Sequence, residues 1–210
     1  EWFAEGGWEV AHGPDLAPDG ESPERADYLQ VLLLADLEAA IGRINPHLPQ
    51  SAVEQTVAVV RKPESLDVVI SNRAFHRLLL DGIPVKYKRD DERVTHDQAF
   101  LVDFGDLGAN RFRAINQFTI EGSKQLRRPD IVCFINGLPF AVLELKSPGV
   151  ENADIWDAFN QIQTYKDEVT DLFAYNEAAI ISDGYFARVG SLTASQERYM
   201  PWRTLRNEDD

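Results

Sequence analysis

The 210-residue chain has one cysteine, one methionine and no long apolar run. A single thiol cannot close an internal disulfide, and it excludes a thiolate zinc site. The four histidines, His12, His47, His76 and His96, show no ligand spacing. Any bound metal is therefore expected on oxygen ligands. No stretch approaches the roughly 18 apolar residues that a membrane helix needs. The acidic, aromatic N-terminus is not a signal peptide. These absences predict a cytoplasmic protein. The chain opens on Glu1 rather than Met, as a fragment or a processed chain would. A Walker A loop is also missing, because Gly122-Ser123-Lys124 lacks the preceding glycine frame.

Basic residues are scarce as well. The formal net charge is −14, which opposes binding to a phosphate backbone. The deficit is uneven. Residues 1–60 hold eleven acidic and two basic residues, and residues 147–210 hold twelve and five. Residues 61–146 hold twelve acidic and fourteen basic residues and are the one segment that is not acidic. Within it, Lys124, Arg127 and Arg128 lead into Asp130 and are candidates to face DNA phosphates. The overall acidity predicts weak DNA binding by the chain alone.

The length suits one domain with a sizeable core. Gly6-Gly7, Gly13-Pro14 and Pro18-Asp19-Gly20 mark a short element followed by a loop. Ser22-Pro23 reads as a helix start, although Arg25 leaves the capping box incomplete. The apolar stripe from Tyr28 to Ala39 carries that helix to about Arg43, and the segment Asn45 to Pro49 ends it. A second helix is expected over 50–62, then a short helical or turn segment over 71–81. Strands are expected at 83–88, 99–104 and 113–120, with turns at Asp90-Asp91 and over 105–110. Ser147-Pro148-Gly149 is a breaker. Asn152 caps an amphipathic helix over 152–169, and Ala178 to Ser182 reads as a buried strand. The acidic end from Glu208 to Asp210 is expected to fray. The class is α/β: a mixed β-sheet flanked by helices.

The centre of the chain is residues 129–146, where two apolar, β-prone runs flank Asn136-Gly137. This predicts a buried hairpin, with Cys133 as a small core residue inside it. A three-residue loop, Asn136-Gly137-Leu138, pairs Ile135 with Pro139 and brings Asp130 opposite Glu144. Opposed Cβ atoms lie roughly 5 Å apart, and like charges there repel. Lys146 shares a face with Glu144 and supplies part of a counter-charge. A hard cation such as Mg²⁺ would supply more.

Pro129-Asp130, thirteen intervening residues and Glu144-Leu145-Lys146 resemble the active-site motif of the PD-(D/E)xK nuclease superfamily. Gln161 and Tyr165, four apart on the following helix, are similar to the Gln-x-x-x-Tyr signature of one of its branches. Longer strings agree: Asn116-Gln117-Phe118, Asn136-Gly137-Leu138-Pro139, Ser182-Asp183-Gly184 and Arg188 to Ala194. From about residue 25 to 204 the chain resembles the N-terminal endonuclease domain of the restriction (R) subunit of type I restriction–modification enzymes.

That resemblance implies a restriction-endonuclease-like fold spanning 1–210, with an N-terminal helical part at about 22–62 and a nuclease core at about 83–200. It implies Mg²⁺-dependent cleavage of double-stranded DNA. Asp130, Glu144 and the Leu145 carbonyl would be metal ligands, and Lys146 would orient the attacking water or stabilise the transition state. Gln161 and Tyr165 carry over as site residues. A further acidic residue on the first helix is common in the superfamily, with Glu24 and Glu38 as candidates outside the core set. The implied partners are the methylation and specificity subunits and an ATP-driven motor, which nothing in these residues matches. Two other readings compete. One is an idle interaction module in a DNA translocase, with the charges forming a structural ion pair. The other is a small-molecule metallohydrolase, disfavoured because no histidine cluster accompanies the carboxylates.

Overall fold

The computed structural model describes residues 2–88, 93–146 and 155–202. The chain begins with a single helical turn, α1 (Trp2–Glu5), and strand β1 (Glu9–His12). Three helices follow: α2 (Leu34–Ile44), α3 (Gln50–Val60) and α4 (Val68–Asp81). Strands β2 (Ile83–Lys88) and β3 (Val94–Ala99) form a separate hairpin. Next come β4 (Phe112–Asn116), a small pair β5 (Ile120–Glu121) and β6 (Leu126–Arg127), and the central strands β7 (Ile131–Ile135) and β8 (Leu138–Leu145). Helices α5 (Ile155–Glu168) and α6 (Thr170–Phe173) lead to β9 (Ala178–Ser182), β10 (Ala187–Gly190) and β11 (Met200–Pro201).

Seven of these strands form one mixed sheet, in the order β1-β4-β7-β8-β9-β10-β11. The pairs β1–β4 and β8–β9 are parallel and the rest antiparallel. The parallel step from β8 to β9 needs a crossover, and α5 supplies it, packing across both strands. Side chains alternate along the strands. Ile115, Val132, Phe134, Val142 and Ile181 join Leu37, Ile41, Ala158, Ile162 and Tyr165 in the main core. The other face carries a smaller cluster of Ala114, Cys133 and Leu143, against which Phe3 and Trp8 pack. Burial there pushes the Cys133 thiol up to about 12, so it is an inert core group, as expected.

Several elements differ from expectation, each for an identifiable reason. Residues 22–33 are not helical, and α2 starts at Leu34. Arg25 is buried instead: its guanidinium lies 3.9 Å from the Phe118 ring centroid, and Nη1 donates to the Thr119 carbonyl at 2.9 Å. That placement outweighs the helix signal at Ser22-Pro23. Of the strand expected at 99–104, Ala99 ends β3 and residues 100–104 are a loop. The Asn45 amide takes both polar backbone groups of Phe100, and Asn110 takes both of Asp103, so side chains occupy the bonds a ladder would use. The strand expected over 113–120 stops at Asn116 because Gln117 has φ +50°. Segment 71–81 is the later part of a full helix that starts at Val68, where Asp67 accepts from the Val69 and Ile70 amides. Strands β1, β10 and β11 were not anticipated. The turn at Asp90-Asp91, the breaker at Ser147-Pro148-Gly149, the cap at Asn152 and the acidic end lie outside the described residues. Among the described residues, no helix is long and apolar enough to cross a membrane.

Candidate active site

The hairpin turn is two residues long, not three. Asn136 and Gly137 have φ +53° and +79°, which suits a type I′ turn, and Ile135 pairs with Leu138. Phe134 then pairs with Pro139, but Cys133 pairs with Ala141. Phe140 is left without a ladder partner, as a β-bulge. Its carbonyl is not orphaned, because it accepts from Glu177 N at 2.8 Å and from the Asn176 amide at 3.2 Å. The bulge restores the register that the shorter turn loses. Pairing runs to Ile131 with Leu143, and one further step sets Asp130 opposite Glu144.

Asp130, Glu144, Lys146 and Tyr165 meet at this open end. Glu144 is 5% exposed. Its Oε1 lies 3.3 Å from the Lys146 ammonium, and its Oε2 accepts from the Tyr165 hydroxyl at 3.3 Å. Asp130 Oδ2 accepts from the Leu145 amide at 2.7 Å, which anchors its carboxylate beside β8. The Lys146 amide donates to the Ser182 carbonyl at 2.8 Å and fixes the end of β8 against β9. From α5, Tyr165 reaches the Arg128 carbonyl at 3.4 Å as well, and Gln161, one helical turn earlier, is near enough to its hydroxyl to draw its pKa down slightly. The sequence-predicted residues on β8 and α5 are thus one cluster. Two neighbours are not marked in the sequence, the Ser182 carbonyl and the Arg128 carbonyl. Both are backbone groups, which no side-chain pattern reveals.

Burial is the largest influence on Glu144 and raises its pKa; the nearby Asp130 charge raises it further, while Lys146 and Tyr165 pull it down. Burial also pushes the Tyr165 hydroxyl upward, followed by the Glu144 charge, so it stays a protonated donor. The raised Glu144 pKa has a definite sign. The folded chain holds that proton more tightly than the unfolded chain, so the stabilising contribution is present at low pH. It is lost as pH rises above the ordinary glutamate value. Glu144→Gln should therefore be more stable than wild type at pH 7.5 in the absence of divalent cations. Thermal denaturation followed by circular dichroism should show the advantage shrinking towards pH 4. A variant less stable than wild type at pH 7.5 would contradict this account.

The basic candidates are placed differently from one another. Arg127 Nε bonds Glu168 Oε2 at 2.6 Å, and the largely exposed Lys124 lies 3.5 Å from Oε1 of the same carboxylate. Together they fasten the β5–β6 hairpin to the end of α5. The Arg128 side chain is exposed beside Asp130. Neither candidate glutamate joins the site. Glu24 lies in the loop before α2 and pairs with Arg113 at 2.5 Å. Glu38 is exposed on α2 and accepts from Gln50 at 2.6 Å. The buried acid on α2 is Asp36, tied to Arg111 and to Arg113. Since Arg113 pairs with Phe134, this network sits towards the turn end of the hairpin, away from Asp130.

Two opposed carboxylates, one of them desolvated, leave negative charge that a single lysine does not cover. The donor set fits a hard divalent cation. Among the described residues, no group of three or more His, Cys, Asp or Glu side chains gathers as a metal site. Further ligands would have to be carbonyl, water or phosphate oxygens, and the Leu145 carbonyl is adjacent.

The sequence matches the family described as type I restriction enzyme R protein N terminus over residues 1–198. It is 44% identical over 200 residues to the type I restriction enzyme HindI endonuclease subunit of Haemophilus influenzae, covering 95% of this chain and 19% of that protein. It is 32% identical over 207 residues to a provisionally assigned type I restriction enzyme endonuclease subunit, MjaIXP, of Methanocaldococcus jannaschii, covering 97% of this chain and 20% of the relative. The chain spans about a fifth of the length of these two relatives. With its mixed seven-stranded sheet flanked by helices, the chain belongs to the type I restriction enzyme R protein N-terminal family.

Proposed function

We propose that this chain is a Mg²⁺-dependent endonuclease domain that hydrolyses phosphodiester bonds of double-stranded DNA. It would act within the restriction subunit of a type I system, a subunit that translocates DNA using ATP. The observation that carries the reading is the meeting of Asp130, Glu144 and Lys146 at the rim of β8. Asp130, Glu144 and the Leu145 carbonyl would hold the cation. When bound, the cation supplies charge stabilisation at the phosphate and eases deprotonation of the attacking water.

The chain's own groups do the rest. Lys146 is a compact point charge on a flexible stem, suited to a pentavalent phosphorane-like transition state or to orienting water. Tyr165 holds Glu144 in place by a donated hydrogen bond, and Gln161 lies near the Tyr165 hydroxyl, where it could meet a phosphate oxygen. The Leu145 amide fixes Asp130. Methylation and specificity subunits would choose the site and the motor would hold the DNA, which suits a chain of net charge −14.

The direct 3.3 Å contact between Lys146 and Glu144 also suits an idle interaction module with a structural ion pair. Calorimetric titration of Mg²⁺, with Mn²⁺ and Ca²⁺ alongside, into wild type and Asp130→Ala separates the two, with a short duplex present in a parallel run. Binding lost in the variant is the expected result. Saturating metal at about 100 times Kd should also stabilise the wild type by about 2.7 kcal/mol. No binding with or without the duplex favours the idle module.

A further inference from the structure

Beyond the carboxylates and lysine, the rim of the sheet carries two large aromatic side chains in water. Tyr185 and Phe186, in the β9–β10 turn, are 80% and 70% exposed. The turn that holds them is closely tied. Asp183 Oδ1 accepts from the amides of Tyr185 at 2.9 Å and Phe186 at 2.8 Å. The Ser182 hydroxyl donates to the Phe186 carbonyl at 2.9 Å and accepts from the Gly184 amide at 3.1 Å. The Asp183 amide closes the turn on the Phe186 carbonyl at 3.2 Å. Gly184 takes φ +87°, which its lack of a Cβ permits. The backbone beneath the two rings is therefore set before any partner arrives.

Its position is set too. Leu145 pairs with Ser182 in the parallel register, and the Lys146 amide donates to the Ser182 carbonyl. One step on, Asp183 lies beside Lys146, and the rings follow directly. Two extended residues span roughly 7 Å at most, about two base-pair steps of a duplex. The flank beyond Asp130 carries the exposed Arg128. The site thus has a cationic side and an aromatic side.

We propose that Tyr185 and Phe186 are positioning residues that insert into duplex DNA next to the scissile phosphate, wedging open and unstacking one base step. This inference rests on the nuclease reading above. Aromatic faces engage any base, so the contact would be indifferent to sequence, as a domain that cuts where a motor stops requires. Stacking also gives an acidic chain a source of DNA affinity that does not depend on phosphate neutralisation. The Asp183 carboxylate is turned back onto the Tyr185 and Phe186 amides.

The test uses short duplexes carrying 2-aminopurine, at low salt with Ca²⁺, read by both fluorescence and anisotropy. Wild type should bind and brighten the probe at one position. Tyr185→Ala/Phe186→Ala should lose the brightening and bind about tenfold or more weakly. Tyr185→Phe/Phe186→Tyr should retain both. The melting temperature of all three should agree, because the exchanged side chains are exposed. Wild-type binding without brightening, or an alanine variant that behaves as wild type, would overturn this proposal and leave the nuclease reading standing. No duplex binding by wild type under any metal condition would overturn this proposal, whose rings are meant to supply affinity, while cleavage by the complete complex tests the nuclease reading separately. Brightening abolished only by Asp130→Ala, with the aromatic variants unaffected, would assign the base contact elsewhere.

Discussion

Gly137→Ala should cost the fold more than about 3 kcal/mol and lower its melting temperature by roughly 10 °C, on the scale expected for domains of this size. Two costs combine. At φ +79° an alanine is strained by roughly 1 kcal/mol. Its Cβ would also lie 2.3 Å from the Leu33 carbonyl oxygen, 2.9 Å from the Leu37 amide nitrogen and 3.1 Å from Asp36 Cβ. Two of these are backbone atoms at the start of α2, which cannot swing aside. The Gly137 carbonyl is engaged there too, accepting from Leu33 N at 3.0 Å. Relief would require the hairpin turn to move off the helix that covers it. Gly42, inside α2 with nothing within 4 Å of an added Cβ, is the matched control. Gly42→Ala should stabilise the fold by about 0.5–1 kcal/mol, because glycine is a poor helix residue. Melting curves within 2 °C of each other for Gly137→Ala and wild type would show that the turn does not dock as described.

Lys146→Ala should lower cleavage by about 10²–10³-fold, the usual effect of deleting one electrostatic contact to a developing oxyanion. The fold should survive. The Lys146 side chain is 26% exposed, and its ammonium bonds Glu144 alone among the described residues. Removing it strips one of the two influences that keep the Glu144 pKa from rising further. Metal binding should therefore persist but shift to higher pH, because a proton must leave first. Lys146→Arg should not restore activity, since a planar fork does not replace a compact point charge. The measurement is nicking of a supercoiled plasmid by the complete complex, because the acidic chain is expected to cut poorly alone. Unchanged cleavage would sink the proposed mechanism, and lost cleavage together with a collapsed melting curve would assign Lys146 to the fold.

What could be read in advance follows from how local each signal is. The α5 stripe and the apolar runs of β7 and β8 are long and periodic, so both elements and the side chains they present were legible. The opposition of Asp130 and Glu144 was legible as well, although by another route than the chain takes. Residues 22–33 misled because the strongest local cue, Ser22-Pro23, competes with a contact nearly a hundred residues away, Arg25 on Phe118. Segment 99–104 misled because Asn45 and Asn110 take over its backbone groups, and neither belongs to the apolar run. Strand β1 is four residues long and gains its partner only when β4 arrives from a hundred residues further on. Strands β10 and β11 sit among turn residues with no alternation to mark them. Within the site, side chains were findable from spacing, whereas the carbonyls of Ser182 and Arg128 were not.

The unpaired Phe140 makes the distance between the two acids a matter of parity. An unbroken ladder closed by a two-residue turn would match Asp130 with Leu143, whose side chain belongs to the opposite face of the sheet. One surplus residue anywhere on either arm corrects the phase, and so does a third residue in the turn. Thirteen intervening residues are therefore compatible with more than one hairpin, and relatives of this chain are free to exchange turn length for a bulge. What they cannot do is take one without giving up the other. A lone insertion or deletion between Asp130 and Glu144 would leave a well-formed sheet with its acids on opposite sides, a silent lesion for folding and a complete one for the proposed chemistry.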